Sequence, residues 1–202
     1  MRAFEWRQLR LLCESTSQVV DHEPSLWVGT PEGSEHNCRA IDALKRYLKV
    51  TKRNRAGWRI DFDEMRLYPA TPLQYLRRLM LVNEYFSDEI EFVGLEVGPQ
   101  TGDVRIATTQ PSLVSRSGAL EHPTLPQLRE QFESFGFEYL DPARLPHVLG
   151  ETESIHFRRD DLWLFDVRPH NFVVDGDLCI PIDVIVQKQG PDDIDDAFYE
   201  GR

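Results

Sequence analysis

Long apolar stretches are missing from this 202-residue chain. No run approaches the roughly 20 residues that a bilayer-spanning helix needs. The opening residues, Met1-Arg2-Ala3-Phe4-Glu5-Trp6-Arg7, lack the continuous apolar segment and small-residue cleavage site of a secretory signal, so the expectation is a cytoplasmic protein with no membrane partner. Cysteine is scarce: Cys13, Cys38 and Cys179 are an odd number without short metal-ligand spacing, which suggests neither a disulfide framework nor a zinc site. Positive charge is outweighed, 23 Lys and Arg against 34 Asp and Glu, for a net charge of −11. Sequence-neutral nucleic-acid binding needs a basic surface, so a nucleic-acid partner is not expected. Internal repeats are absent, and the acidic tail beyond Pro191 is the one biased segment.

What remains is an ordinary globular composition, 41% hydrophobic and 28% charged, in a length that suits one domain and allows a division into two lobes. The charge is unevenly spread. Between Arg39 and Arg59 a cluster of lysines and arginines faces a single acid, Asp42, whereas Asp192, Asp193, Asp195, Asp196 and Glu200 dominate the tail. Residues 3–20 carry apolar side chains at roughly helical intervals and predict an amphipathic helix. Trp27 to Glu35 is turn-rich, and residues 39–41 and 47–51 read as two strands, in which a glycine-bearing hairpin is expected. Thr71-Pro72 opens a helix running to Phe86, with threonine as cap and proline in the first turn. Residues 90–97 and 104–109 form a hairpin pattern that extends the sheet, and Leu125, Leu128, Phe132 and Phe135 mark another helix ending near Gly136. Two further hairpins follow: 154–157 with 162–165, and 172–174 with 178–180 around Asp175-Gly176-Asp177.

Chemistry is concentrated around the last hairpin. Asp166-Val167-Arg168-Pro169-His170-Asn171 precedes it and Pro181-Ile182-Asp183 follows it. A hairpin brings its two ends together, so Asn171 and Asp183 should converge; an amide oxygen and a carboxylate are the hard ligands that Mg²⁺ prefers. Asp, Asn and Gly also gather in turns for local hydrogen-bonding reasons, and a purely structural role is the competing reading.

This arrangement resembles the catalytic loop and metal-binding segment of the protein-kinase superfamily: Asp, any residue, Lys or Arg, Pro, any residue, Asn, a short hairpin, then a second Asp. By that resemblance Asp166 is the catalytic base, Arg168 neutralises the transferring phosphoryl group, and Asn171 with Asp183 holds Mg²⁺. The resemblance also asks for a strand lysine on the nucleotide phosphates, for which Lys49 is in the right order and Lys52 is the runner-up. Glu84 near the end of the Pro72–Phe86 helix would be its carboxylate partner, with Glu64 the other choice. Gln110-Pro111 falls where a hinge strand would offer backbone groups to adenine. The chain is closer still to the kinase-like domains of polyvalent proteins from phages and mobile elements, through Gly33-Ser34-Glu35-His36, Pro72-Leu73-Gln74-Tyr75-Leu76, Gln110-Pro111, Gly136-Phe137 and Asp166-Val167-Arg168-Pro169-His170-Asn171-Phe172.

The sequence departs from the superfamily pattern at several points. Leu164-Phe165 stands where a histidine commonly precedes the catalytic Asp, Val184-Ile185 follows Asp183 in place of Phe-Gly, and Gly29 with Gly33 is not a three-glycine loop. With nineteen residues after Asp183, a peptide acceptor is disfavoured. The expectation is therefore a single α+β domain of protein-kinase-like fold, with an antiparallel-sheet N-lobe (1–111) and a reduced C-lobe (112–202). Its expected activity is ATP- and Mg²⁺-dependent phosphoryl transfer to a hydroxyl acceptor. The alternative is a catalytically inactive pseudokinase that senses nucleotide or binds a protein partner.

Overall fold

Two of the three α-helices among the described residues start with the same local chemistry. The Thr71 and Thr124 hydroxyls accept hydrogen bonds from the backbone N–H of Gln74 and Gln127, whose side chains accept in return from the threonine N–H. Each is a capping box, with proline in the first turn. The computed structural model of the protein describes residues 2–21, 35–98, 101–113, 121–141 and 154–190. In chain order its elements are α1 (Arg2–Ser15), β1 (Val19–Asp21), β2 (His36–Ile41), β3 (Arg46–Thr51), β4 (Trp58–Asp61), β5 (Arg66–Pro69) and α2 (Pro72–Phe86). There follow β6 (Glu91–Val97), β7 (Val104–Pro111), α3 (Leu125–Ser134), β8 (Glu138–Leu140), β9 (Ile155–Arg159), β10 (Leu162–Val167), β11 (Phe172–Asp175), β12 (Leu178–Pro181) and β13 (Ile185–Lys188). The protein is thus a mixed α+β structure with several antiparallel sheets. Among the described residues no helix is long and apolar enough to cross a membrane.

The chain separates into two compact units: residues 1–59 with 67–114, and residues 60–66 with 115–202. In the first, five strands lie in the order β1-β6-β7-β3-β2, antiparallel except where β1 runs parallel to β6. α1 and α2 cover one face, burying Leu9, Cys13 and Tyr75 against Leu95, Val104 and Ile106. Burial raises the Cys13 thiol above its ordinary range and keeps it a small hydrophobe. Glu5 of α1 is buried and accepts from the Leu73 N–H in the first turn of α2, a carboxylate placed at the positive end of a helix.

The second unit contains the four-stranded antiparallel sheet β13-β10-β9-β8 and the hairpin β11–β12. α3 is fixed to β12 by Gln131, which donates to the Cys179 carbonyl and accepts from its N–H. Phe132 of α3 meets the rings of Phe137, Phe157 and Phe172, with centroids 4.9–5.8 Å away. The unit also includes the tip of the β4–β5 hairpin, where the Gln187 side chain bonds both the N–H and the carbonyl of Ile60.

Several expectations are corrected by the structure. The N-terminal helix stops at Ser15, and Val19 and Val20 belong to β1. The hydroxyls of Ser15 and Thr16 turn back onto the Leu12 carbonyl, and Ser17 adopts a left-handed backbone (φ 57°), which together end the helix. The β2–β3 connection contains no glycine: a 3₁₀ turn over Asp42–Leu44 closes with Lys45 in the left-handed region. Hairpin β4–β5 and strands β8 and β13 were not anticipated. The turn-rich segment with Gly29 and Gly33, and the acidic tail, lie outside the described residues.

β1 reaches the sheet only because residue 94 is glycine. Gly94 sits at a bulge of β6 with φ 151°, and a Cβ there would lie 2.0 Å from the Gln18 carbonyl oxygen. That same carbonyl accepts the Leu95 N–H at 2.9 Å. Gly94→Ala is therefore expected to cost at least about 2 kcal/mol in chemical denaturation, because backbone strain and a backbone clash act together.

Candidate functional site

Residues 166–183 form a built cluster within the second unit, and its origin is a break in strand regularity. β10 pairs with β9 through Leu164↔Phe157 and then Val167↔Ile155, so β10 carries one extra residue. Asp166, in that bulge, has φ 60°, a left-handed conformation uncommon for a residue other than glycine. A bulge redirects the side chain it carries.

Asn171 holds this geometry. Its Nδ2 donates to the Asp166 carbonyl at 2.8 Å and to Asp166 Oδ2 at 3.0 Å. Its backbone N–H donates to the Arg168 carbonyl at 2.9 Å, which closes the short 3₁₀ turn over Pro169–Asn171. Its carbonyl accepts from Ile182 N–H at 2.8 Å and more weakly from Asp183 N–H at 3.3 Å. The β11–β12 hairpin therefore does join its two ends, as its Asp-Gly turn leads one to expect. Because the Asn171 amide nitrogen is committed to Asp166, Oδ1 is the atom able to face a cation.

The Arg168 guanidinium pairs with Asp166 Oδ1, and each side chain keeps roughly a third of its surface exposed. Burial raises the Asp166 carboxyl above the ordinary aspartate range; Arg168 and Asn171 oppose that shift, and the charge of Asp183 reinforces it. Two carboxylates, an amide and a guanidinium thus share one hairpin base. His170, inside the loop, is exposed.

Lys49, Glu84 and Gln110 lie in the first unit. Lys49 is half-buried on strand β3, opposite Thr108 of β7 and Cys38 of β2. Direct cross-strand partners point to one face, so Lys49 shares its side of the sheet with Thr108 and Gln110. Lys52 lies beyond the end of β3, and its Nζ donates to Asn37 Oδ1 at 2.7 Å. Glu84 faces solvent, because the buried face of α2 is made by Tyr75, Arg78, Leu81 and Val82. Glu64 lies 3.8 Å from Arg66 at an exposed surface. Gln110 is buried, and its amide donates to Asp88 Oδ2 at 2.5 Å.

One buried ion pair of the first unit joins residues whose pairing the sequence does not announce. Arg78 of α2 donates to both oxygens of Glu35, Nη2 to Oε2 at 2.5 Å and Nη1 to Oε1 at 3.1 Å. Both side chains are about 5% exposed. Trp58 N–H adds a third bond to Glu35 Oε1, and the neighbouring His36 ring bonds the Tyr75 hydroxyl at 2.8 Å. The polarity is the reverse of a strand lysine meeting a helix carboxylate: here the helix supplies the cation. A signal existed in the sequence, since an arginine at position 78 interrupts the apolar face of an otherwise amphipathic helix.

No protein-family model matches the chain, and comparisons with curated proteins and with solved structures found no match.

Removing one partner of a buried pair leaves the other charge uncompensated, so Arg78→Met should destabilise the protein by about 3–5 kcal/mol in urea titrations. The Glu35→Gln, Arg78→Met double variant should recover a part of that loss. At Asp166 the sign is set by its raised pKa in the folded state. Such a carboxyl favours folding when protonated; its contribution is complete below the unfolded pKa and is lost as pH rises through the folded pKa. Relative to Asp166→Asn, the wild-type protein should lose stability on going from acid to neutral pH. Parallel pH-dependent melting curves of the two proteins check this.

Proposed function

We propose that the protein is a phosphotransferase of protein-kinase-like fold that moves the terminal phosphoryl group of ATP to a hydroxyl acceptor. The single observation that carries this reading is the Asp166, Arg168, Asn171 and Asp183 cluster. A carboxylate on a bulge is oriented by the side-chain amide of Asn171, whose backbone carbonyl accepts from the N–H of the residue bearing the second carboxylate. The sequence order of these four residues is that of the kinase catalytic and metal-binding segments, in the form found in the kinase-like domains of polyvalent proteins.

The donor set fits Mg²⁺, because Asn171 Oδ1 and the Asp183 carboxylate are hard oxygens. Bound there with the nucleotide, the ion would supply charge neutralisation to the phosphates. Asp166 would orient the acceptor hydroxyl and take its proton as the new oxygen–phosphorus bond forms and the bond to the departing ADP oxygen breaks. A carboxyl with a raised pKa is a better proton acceptor than an ordinary aspartate. Arg168, already at Asp166, would place positive charge beside the transferring group.

A second reading has its own support. Both Asp166 oxygens are engaged, one by Arg168 and one by Asn171, as in a structural hub. This favours a pseudokinase that binds nucleotide without turnover and serves as a sensor or protein-binding module.

Melting curves with and without ATP and Mg²⁺ test both. Binding to the native state stabilises it by about 2.7 kcal/mol at about a hundredfold excess over Kd, so a clear rise in Tm is expected. Absence of any rise at millimolar nucleotide overturns both readings. With a rise present, loss of the labelled terminal phosphoryl group of ATP, to water or to an added hydroxyl acceptor, that disappears in Asp166→Ala while the nucleotide-induced rise persists supports turnover; no loss in wild type across a panel of hydroxyl acceptors supports the sensor.

A further inference from the structure

We infer that the first unit carries an anion site, independent of divalent metal, that takes a phosphate or phosphomonoester head group. The site is a cavity of about 200 Å³ between the start of α1, the turn after β3 and the β4–β5 hairpin. Arg2, Lys52 and Arg55 bring three positive charges to its lining.

Glu35, the acid among the described lining residues, does not cancel them. Its two oxygens are occupied by Arg78 and by the Trp58 N–H, and its charge is balanced by the buried guanidinium. The described lining residues are therefore net cationic, within a chain whose overall charge is −11. Cations concentrated in a concave, partly desolvated place attract small anions far more strongly than the same cations dispersed over a surface.

The cationic wall is also fixed in position. Asn54, with φ 52°, is pinned between Lys52 and Arg55: its N–H donates to the Val104 carbonyl, and its side chain bonds Asp103 Oδ1 and the Val104 N–H. The Arg55 N–H closes the turn on the Lys52 carbonyl at 3.1 Å, and the Lys52 N–H is anchored on the Glu35 carbonyl at 3.0 Å. Arg2 Nη2 donates to the Asn54 carbonyl at 3.0 Å, which holds the guanidinium beside the turn and leaves further N–H groups for a ligand. Arg55 is exposed, and no partner for its guanidinium is seen among the described residues. Two planar guanidinium forks and an ammonium group suit the tetrahedral array of acceptors of a phosphate better than a carboxylate.

The floor of the cavity requires Gly57, whose φ is 72° and where a Cβ would come within 3.0 Å of Glu35 Oε1. Trp58 and Pro69 complete the lining with apolar surface, which suits the carbon skeleton of a phosphomonoester.

The test is calorimetric titration of the full chain, in EDTA, with inorganic phosphate, pyrophosphate and acetate. Phosphate and pyrophosphate should bind, acetate more weakly, and added NaCl should weaken all binding. Arg55→Ala should reduce phosphate affinity about ten- to hundredfold, the range of a lost charge-assisted hydrogen bond. Because Arg55 is exposed, its variant is expected to fold normally, and an unchanged Tm in the absence of phosphate confirms that. Asp166→Ala should bind phosphate in EDTA as wild type does. No phosphate or pyrophosphate binding at millimolar concentration, equal affinity for acetate, or loss of binding in Asp166→Ala but not in Arg55→Ala would each overturn the site.

Discussion

A single side chain, Asn171, holds the second unit's chemistry in register. Its amide fixes the bulged Asp166 from below, its N–H closes the turn that carries Arg168, and its carbonyl receives the chain returning from the β11–β12 hairpin. Each bond is modest alone, on the order of 1 kcal/mol. Their convergence on one residue makes the left-handed backbone of Asp166 tolerable, because strain at one position persists only where its surroundings over-determine it. Without that pin, an aspartate in mid-strand would return to regular pleating and point its carboxylate elsewhere.

The two units handle charge differently. In the second, two acids are kept near each other and near one arginine, and partial burial leaves the Asp166 carboxyl reluctant to ionise. In the first, the deeply buried Glu35 and Arg78 are matched into a pair whose remaining hydrogen-bonding capacity on the acid side is filled by backbone. This pairing removes an acid from the electrostatic balance of the nearby cavity. The uneven charge distribution visible in the sequence, cations between residues 39 and 59, thus acquires a local expression at the turn after β3.

Much of this was legible beforehand where the signal is local. Threonine, proline and glutamine at the starts of α2 and α3 dictate those helices by capping, and Asp175-Gly176-Asp177 dictates the tightest hairpin. The approach of Asn171 to Asp183 follows from that hairpin alone. What was not legible depends on partners far apart in the chain. The Glu35–Arg78 pair spans 43 positions, and nothing in either residue's neighbourhood announces the other. Strands β8 and β13 have only three and four residues, too short for alternation to register. The bulge at Asp166 is equally hidden: it arises because two strands of unequal length must pair, a property of β9 and β10 together. Glu84 has the charge and lies on the helix that the resemblance asks for, but helical phase sends it to solvent.

The three-residue strand β1 has an effect larger than its length. By lying parallel against β6 it covers the Leu95–Val97 part of that strand's edge, whose open backbone donors and acceptors would otherwise be available to an extended chain. The far edge, β2, carries Arg39, a charge of the kind that discourages such pairing. The C-terminal half of the β6 edge is thus covered sterically, and that cover rests on the missing side chain at Gly94, which lets β1 dock.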